Sequence, residues 1–194
     1  MNLTARQLDI IGTAGKLLTS FGLSGLTVKN IAKEMHFAES TLYRHFQSKE
    51  EIIVSMLQYL ADSIDSRLKQ IKYTENPEKS LKILFKNQLN FFAENPHFVA
   101  SVFSDGLMEE TENINNAISK LIKIKTKYLS RIITEGQQKK IFTDKIPAEL
   151  LVNIIMGSFK LQMLKWRMDN FGFDIKKEGN EMVRYFLILI RNNK

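Results

Sequence analysis

Cysteine, a residue type that decides other folds, is missing from this sequence. The 194 residues include no cysteine, so we expect no disulfide framework, no thiolate zinc site and no thiol nucleophile. The longest apolar runs, such as 185–190, fall far short of the roughly 20 residues that a membrane-spanning helix needs, and the first residues do not resemble a signal peptide. We therefore expect a cytoplasmic protein that is held together by a hydrophobic core, which its 44% of hydrophobic residues can supply.

Proline is also rare, and its positions are informative. Pro77, Pro96 and Pro147 each follow a short polar break and precede an apolar stretch with helical spacing, which is typical of the first position of a helix. No run of Val, Ile and Thr alternates with polar residues, so strands are not expected. The sequence predicts an all-α fold of about nine helices. They lie near residues 4–21, 27–35, 38–44, 48–72, 77–93, 96–109, 112–135, 147–169 and 174–191.

Positive charge is in excess, with 28 Lys and Arg residues against 21 Asp and Glu residues. A net charge of +7 favours an acidic partner such as nucleic acid. The excess is concentrated in 118–140, whereas 1–50 is only weakly basic. This basic segment includes Lys120 and Arg131. It is either a solvated helix face or a surface that attracts an anionic effector.

The first fifty residues are predicted to form three short helices. Apolar residues recur at spacings of three and four along the first helix, and a second stripe includes Val28 and Ile31. A two-residue turn at His36 and Phe37 precedes the third helix. This spacing suits a helix-turn-helix unit, whose second helix enters the major groove of DNA, and it suits an ordinary three-helix packing unit equally well.

Particular residues favour the first alternative. Residues 26–35 read LTVKNIAKEM and residues 40–51 read STLYRHFQSKEE. Over about residues 5–55 the sequence resembles the TetR family of transcriptional regulators. The resemblance implies a helix-turn-helix DNA-binding domain at 1–48 and a helical effector-binding and dimerisation domain at 49–194. It also implies a ligand-responsive regulator without a cofactor, usually a repressor, that binds a palindromic operator as a homodimer; an activator of the same fold remains an alternative.

The matched positions suit DNA contact. Thr27 at a helix start can cap the helix or contact a phosphate, and Arg44 could bridge guanine O6 and N7. The resemblance assigns Tyr43 and Lys49 to the phosphate backbone. For Glu39, two roles are equally supported: it reads a base, or it is a solvated acid that makes no DNA contact. For His45, contact with the DNA backbone or packing is favoured over base reading. The expected DNA-binding set is Thr27, Lys29, Glu39, Ser40, Thr41, Tyr43, Arg44, His45 and Lys49.

Two residues depart from the family pattern in the turn. The family commonly has glycine where this sequence has His36, and a small polar residue where it has Ala38. Histidine tolerates a positive φ at some strain, whereas alanine cannot cap a helix. These two residues leave the exact geometry of the turn open, whereas we expect its purpose to be unchanged.

The last two predicted helices carry the expected dimer interface. By resemblance they form a four-helix bundle with their copies in a second subunit; the alternative is that they are core of one subunit. The expected interface residues are Leu151, Ile155, Ser158, Phe159, Gln162, Met182, Tyr185, Phe186 and Leu189.

A high density of aromatic and methionine side chains suits a cavity for a small apolar or aromatic effector, although core packing explains these residues nearly as well. We expect that the effector moves the helix that begins at Ser48 and thereby changes the separation of the two recognition helices. The candidate effector-binding residues are Phe92, Phe103, Met108, Tyr128, Met163 and Trp166.

Two other functions have little support. The spacing of Glu94 and His97 resembles one half of a di-iron site, but Pro96 interrupts it and no second copy exists. We therefore expect neither an enzyme nor a metal site. A basic helix face could dock on a membrane, but its apolar side is expected in the core, so no membrane partner is predicted.

Overall fold

The computed structural model describes residues 3–103, 107 and 111–192, apart from the side chains of 102 and 103. Across these residues the fold is all-α, as predicted, with one isolated bridge between Phe142 and Arg191 as the only β-type pairing. A 3₁₀ turn, Pro96–Phe98, precedes α6. The helices are α1 Ala5–Gly25, α2 Val28–Glu34, α3 Glu39–Tyr43, α4 Lys49–Gln70, α5 Pro77–Glu94, α6 Val99–Phe103, α7 Glu112–Gln138, α8 Ala148–Met168 and α9 Ile175–Ile190.

Helix starts agree with the predicted ones because the signals for them are local. The Thr4 side chain accepts a hydrogen bond from the Gln7 N–H, and the Gln7 side chain accepts one from the Thr4 N–H, which completes a capping box. The Asp174 carboxylate caps α9 in a similar way. The helix α1 extends past its predicted end at residue 21 because Gly22, with φ 65°, introduces a kink rather than a stop.

The chain divides into two compact units, each built from two segments. Unit 1 comprises Met1–Ser63 and Asn95–Ile122, and unit 2 comprises Ile64–Glu94 and Lys123–Lys194. The long helices α4 and α7 contribute residues to both units. The predicted DNA-binding segment, 1–48, lies within unit 1, and its boundary at residue 48 stays a prediction. No helix in the described part of the chain is long and apolar enough to cross a membrane.

In unit 1, α1 packs against α2 and against the segment around Pro96–Phe98. The Thr19 hydroxyl, on α1, donates a hydrogen bond of 2.7 Å to the His97 carbonyl. One face of α1, which includes Ile10, Ile11 and Leu18, is almost completely buried. This packing provides a rigid support for the short helices α2 and α3.

In unit 2, α5 and α9 are close antiparallel neighbours. At one end, the Arg191 guanidinium makes two hydrogen bonds to the Glu78 carboxylate, at 2.6 and 2.9 Å. At the other end, a Cβ on Gly179 would lie 2.3 Å from Leu89 Cδ2, so a larger residue there would force the Leu89 side chain to shift. Phe85 of α5 also packs edge-on against Phe159 of α8, with ring centroids 5.4 Å apart.

Candidate DNA-binding and effector sites

The turn between α2 and α3 has the geometry of a Schellman motif. The Phe37 N–H donates to the Ala32 carbonyl at 2.8 Å, and the His36 N–H donates to the Lys33 carbonyl at 3.2 Å. His36 occupies the left-handed position with φ 55°. The turn therefore keeps the form that glycine would adopt, and histidine accepts its strain.

The second departure, Ala38, stands at the N-cap of α3 and makes no side-chain capping bond. The helix is only five residues long, from Glu39 to Tyr43. It is held by burial instead of capping, because Leu42 and Phe46 are almost completely buried. The buried side of α3 fixes which residues point away from the protein.

The expected DNA-contacting residues of α3 lie on its outer side. Tyr43 is 53% exposed, and the exposed set also includes Glu39, Ser40 and Arg44. Thr41 and His45 are half-buried. The His45 carbonyl accepts a hydrogen bond from Gln7 Nε2 at 3.1 Å, which ties the backbone after α3 to α1. Tyr43 at the end of α3 and Arg44 at its C-cap are therefore the longest side chains that this segment presents outward.

The remaining expected contacts flank α3. The Thr27 hydroxyl accepts a hydrogen bond from the Asn30 N–H at 3.1 Å, so it caps α2 as predicted from its sequence position. Lys29 is exposed in the first turn of α2, and Lys49, half-buried, begins α4. The site thus combines cationic and hydroxyl groups at helix starts with an exposed helix between them, an arrangement suited to phosphates on either side of base edges.

Four of the six predicted effector residues fall in unit 2, where they occupy separate surroundings; these are Phe92, Tyr128, Met163 and Trp166. Trp166 Nε1 donates to the Phe173 carbonyl at 2.9 Å, so this side chain fastens the loop after α8. The Tyr128 hydroxyl donates to the Asp65 carboxylate at 2.7 Å. The pKa of Asp65 is lowered chiefly by the hydrogen bond that it accepts from Lys69, and next by the one from Tyr128. Phe92 and Met163 are completely buried. Met108 and the side chain of Phe103 lie outside the described residues.

Sequence reasoning missed the two polar residues Gln88 and Lys125. They line one small cavity of unit 2, which we call the Gln88–Lys125 cavity. Lys125 is 6% exposed, and burial lowers its pKa to about 7. A signal was present, because Lys125 falls at helical spacing between the buried Leu121 and Leu129. The cavity is lined by Leu84, Phe85, Gln88, Lys125, Leu129, Met156 and Phe159.

Other cations of the basic segment 118–140 have partners at the surface. Lys120 pairs with Asp62 at 3.3 Å, and Arg131 pairs with Glu135 at 2.8 Å. The Lys127 ammonium lies 5.4 Å from the centre of the Tyr128 ring. These contacts account for part of the segment as an exposed helix face, and Lys125 is the member that turns inward.

The expected dimer-interface residues divide into two groups. Leu151, Ile155, Phe159 and Phe186 are buried within the chain, which leaves little of their surface for a partner, and their place in an interface stays a prediction. Ser158, Gln162 and Met182 are half-buried, and Tyr185 and Leu189 are exposed. The apolar surface of α8 and α9 consists of Leu150, Ile154, Leu161, Leu164, Met168, Tyr185, Ile188 and Leu189.

The described ranges 3–103 and 111–192 contain no group of three or more His, Cys, Asp or Glu side chains that could hold a metal ion.

Comparison with known families adds to this geometry. Residues 10–56 match the family described as "Bacterial regulatory proteins, tetR family", and residues 56–190 match the C-terminal region of "YsiA-like protein". Together the two matches span nearly the whole chain.

Individual proteins are similar to this chain along most of their length. The nucleoid occlusion factor SlmA of Aliivibrio fischeri is 29% identical over 161 residues, which cover 79% of this chain and 82% of that protein. The fatty acid metabolism regulator protein of Bacillus subtilis is 22% identical over 188 residues, 96% of each chain. The crystal structure of Bacillus subtilis FadR in complex with stearoyl-CoA aligns with a TM-score of 0.75 at 19% identity, and covers 93% of this chain and 97% of that one.

Proposed function

The chain belongs to the TetR family of bacterial regulatory proteins, and from this premise we propose that it is a repressor that leaves its operator when a small apolar effector binds. It is a ligand-responsive, DNA-binding transcriptional regulator. In the proposal, 1–48 is the DNA-binding domain and 49–194 binds the effector and a second copy of the chain. Because its partner is chromosomal DNA, the proposed location is the cytoplasm, and no catalytic activity is expected.

The outward face of α3 carries this proposal. Arg44 and Tyr43 are exposed, while Leu42 and Phe46 hold the helix from the opposite side. A helix fixed in this way can enter the major groove, where an arginine discriminates guanine by ~1–3 kcal/mol through a bidentate contact. Tyr43, Lys29 and Lys49 would contact phosphates and hold the helix in register.

A homodimer is proposed from the apolar surface of α8 and α9. Large apolar side chains such as Leu161 and Leu189, respectively 52% and 75% exposed, are unusual on a monomer when they lie along one helix pair. A two-fold dimer would bring two copies of α3 to successive major grooves about 34–36 Å apart, so the operator would be a palindrome.

A fatty-acyl compound is the effector class that we propose. One relative is named a fatty acid metabolism regulator protein, and FadR of Bacillus subtilis, a structural neighbour, was crystallised with stearoyl-CoA. The interior of unit 2 is rich in apolar and aromatic side chains, including Phe85, Phe92 and Phe159, and such a lining suits an alkyl chain. An activator of the same fold is the alternative, and it would differ in the sign of transcriptional response.

The test begins with selection of operator DNA from a random library by the purified full-length protein. We expect an enriched palindrome and tight binding, measured by fluorescence anisotropy. Arg44→Ala should relax selection at one base position in each half-site, whereas Lys176→Ala, an exposed cation on α9, serves as the matched control and should not change it. An enriched set without symmetry, or an unchanged set in the Arg44 variant, would contradict the proposal.

The dimer is tested separately by light scattering. Leu161→Glu should shift the protein toward the monomer and weaken operator binding, because a charge in an apolar interface is costly. Glu178→Gln, an exposed position on α9, is the control. A monomeric wild-type protein at micromolar concentration would exclude the proposed interface.

A further inference from the structure

Gln7, in the first turn of α1, forms hydrogen bonds through both ends of its side-chain amide. Its Nε2 donates a bond of 3.1 Å to the carbonyl of His45, which directly follows Arg44 in the chain. We propose that Gln7 is a positioning residue, which holds α3 in the orientation that base reading needs. The inference rests on the proposed function, because it assumes that α3 enters the major groove. It goes beyond that function by naming a residue that acts on specificity through the backbone of another segment.

The choice of glutamine at this position is informative. Gln7 Oε1 accepts hydrogen bonds from the Thr4 N–H at 3.0 Å and from the Thr4 hydroxyl at 3.1 Å, as part of the capping box of α1. Glutamate serves a capping box equally well, since this task requires only an acceptor. The Nε2 donor is what glutamine adds, and its acceptor lies 38 residues away in the chain. The bond to His45 is therefore the part of this side chain that capping does not explain.

The helix α3 has few supports of its own. It runs for five residues, from Glu39 to Tyr43, and Ala38 supplies no side-chain capping bond. Helices shorter than about 12–15 residues are marginal in isolation, so the orientation of α3 depends on contacts with its surroundings. The buried side chains of Leu42 and Phe46 fix how deeply the segment packs. Apolar burial is not directional, whereas a hydrogen bond has a preferred distance and angle.

The first turn of α1 supplies directional contacts on both flanks of α3. The bond from Gln7 reaches the chain just after α3. The Arg6 guanidinium lies 5.0 Å from the centre of the Phe37 ring, in the turn that precedes α3. A cation is attracted to the face of an aromatic ring, so this contact is directional as well. Two neighbouring residues of α1 thus hold the segment at its two ends.

Orientation matters most for a residue that reads a base. A bidentate contact from Arg44 to guanine needs two hydrogen bonds at once, so a small rotation of α3 breaks one of them. A phosphate contact from Lys29 does not depend on this rotation, because Lys29 lies on α2 and carries its charge on a flexible stem. Loss of the Gln7 bond is therefore expected to lower affinity for the operator more than affinity for unrelated DNA.

The experiment compares the full-length wild type with two variants of Gln7. Gln7→Met removes both polar atoms, whereas Gln7→Glu keeps the acceptor for Thr4 and removes the donor. Each protein is titrated by anisotropy with the palindrome that the wild type enriches from the random library, and with a shuffled duplex of the same length and composition. The readout is the ratio of the two affinities. A charge added at position 7 changes both affinities alike, so the ratio is insensitive to it.

We expect this ratio to fall about fivefold or more in both variants, which is the discrimination that one lost base contact carries. Thr4→Ala is the matched control, because it removes the capping box and leaves the Gln7 donor in place. It should lower the thermal stability and yet keep the full ratio. Thermal unfolding reports whether each variant is folded, and Gln7→Glu, which retains the acceptor of the capping box, decides the matter if Gln7→Met does not fold.

Hydrogen exchange in the free protein measures the same effect without DNA. The N–H groups of Arg44, His45 and Phe46 donate to carbonyls of α3. They should exchange about threefold or more faster in the Gln7 variants than in the wild type, because the segment opens more often when its bond to α1 is lost. Thr4→Ala should leave their exchange unchanged.

The outcomes separate this inference from the proposed function. If the wild type enriches a palindrome but the Gln7 variants keep the full ratio, the inference is wrong and the proposed function stands. The same holds if Thr4→Ala lowers the ratio equally, or if the Gln7 variants leave the exchange unchanged, since the bond would then only stabilise unit 1. If the wild type enriches no sequence, the proposed function fails and the inference fails with it.

Discussion

The Glu50 carboxylate, in the first turn of α4, accepts a hydrogen bond of 2.9 Å from the Thr111 hydroxyl at the start of α7. The same oxygen accepts a second bond of 2.9 Å from the Asn113 amide. Thr111 in turn accepts from the Ile114 N–H, so it caps α7 while it is held by Glu50. The beginning of α7 is thereby fastened to the helix that follows the helix-turn-helix segment in the chain.

This contact predicts a variant that binds both operator DNA and effector, but in which effector binding weakens operator binding less than in the wild type. In Glu50→Ala the start of α7 loses its anchor on α4, so a change in α7 is transmitted less strongly to the DNA-binding residues. We expect effector affinity to stay within twofold of wild type, while the factor by which effector weakens operator binding falls roughly threefold to tenfold. Anisotropy titrations with and without effector measure this factor.

Glu112→Ala is the control for that measurement, because Glu112 is an exposed acid in the same first turn of α7. It should keep full coupling. Equal coupling in both variants and the wild type would mean that the Glu50 contact only stabilises unit 1.

A second prediction concerns a phosphate contact. Lys29 is exposed in the first turn of α2, so Lys29→Ala should weaken binding to specific and random DNA by a similar factor. Removing one phosphate contact should also lower the slope of log affinity against log salt concentration by about 1. Titrations between 50 and 300 mM salt measure the slope. The Debye length falls roughly twofold over this range. A loss confined to the operator sequence would assign Lys29 to base reading instead.

The parts of the fold that sequence predicts well are those with local causes. Thr4 and Thr27 mark helix starts because a hydroxyl satisfies an N–H only three residues away. The inward face of α8 is different, because Leu150 and Leu151 are both apolar and only packing decides that the second is buried. Lys125 was missed for a related reason: a count of charges does not tell which side chain turns inward.

The turn at His36 predicts a stabilising substitution. A residue with a Cβ pays a penalty at φ 55°, whereas glycine does not, although glycine loses more chain entropy on folding. His36→Gly should therefore raise the free energy of unfolding by about 0.5–1 kcal/mol. Urea denaturation checks this, with His36→Ala as the control that keeps the Cβ and should show no gain. A destabilised glycine variant would reveal a contact of the His36 ring.

The buried Lys125 predicts how stability depends on pH. Its pKa is about 7 in the folded protein and 10.5 ordinarily, so between these values the unfolded chain binds a proton that the folded chain does not. Stability must then rise with pH through this window, and the cost of the buried charge is fully present below pH 7. From pH 7 to pH 9 we expect a gain of about 1–3 kcal/mol, since one pKa unit corresponds to about 1.4 kcal/mol. Tyr73 and Tyr128 have pKa values raised to about 12, so their titration affects stability above this pH range.

Urea denaturation at pH 7, 8 and 9 measures the slope of stability against pH. Lys125→Met should largely abolish this slope, and Lys123→Met should retain it. Equal slopes in the wild type and both variants would show that Lys125 is not desolvated.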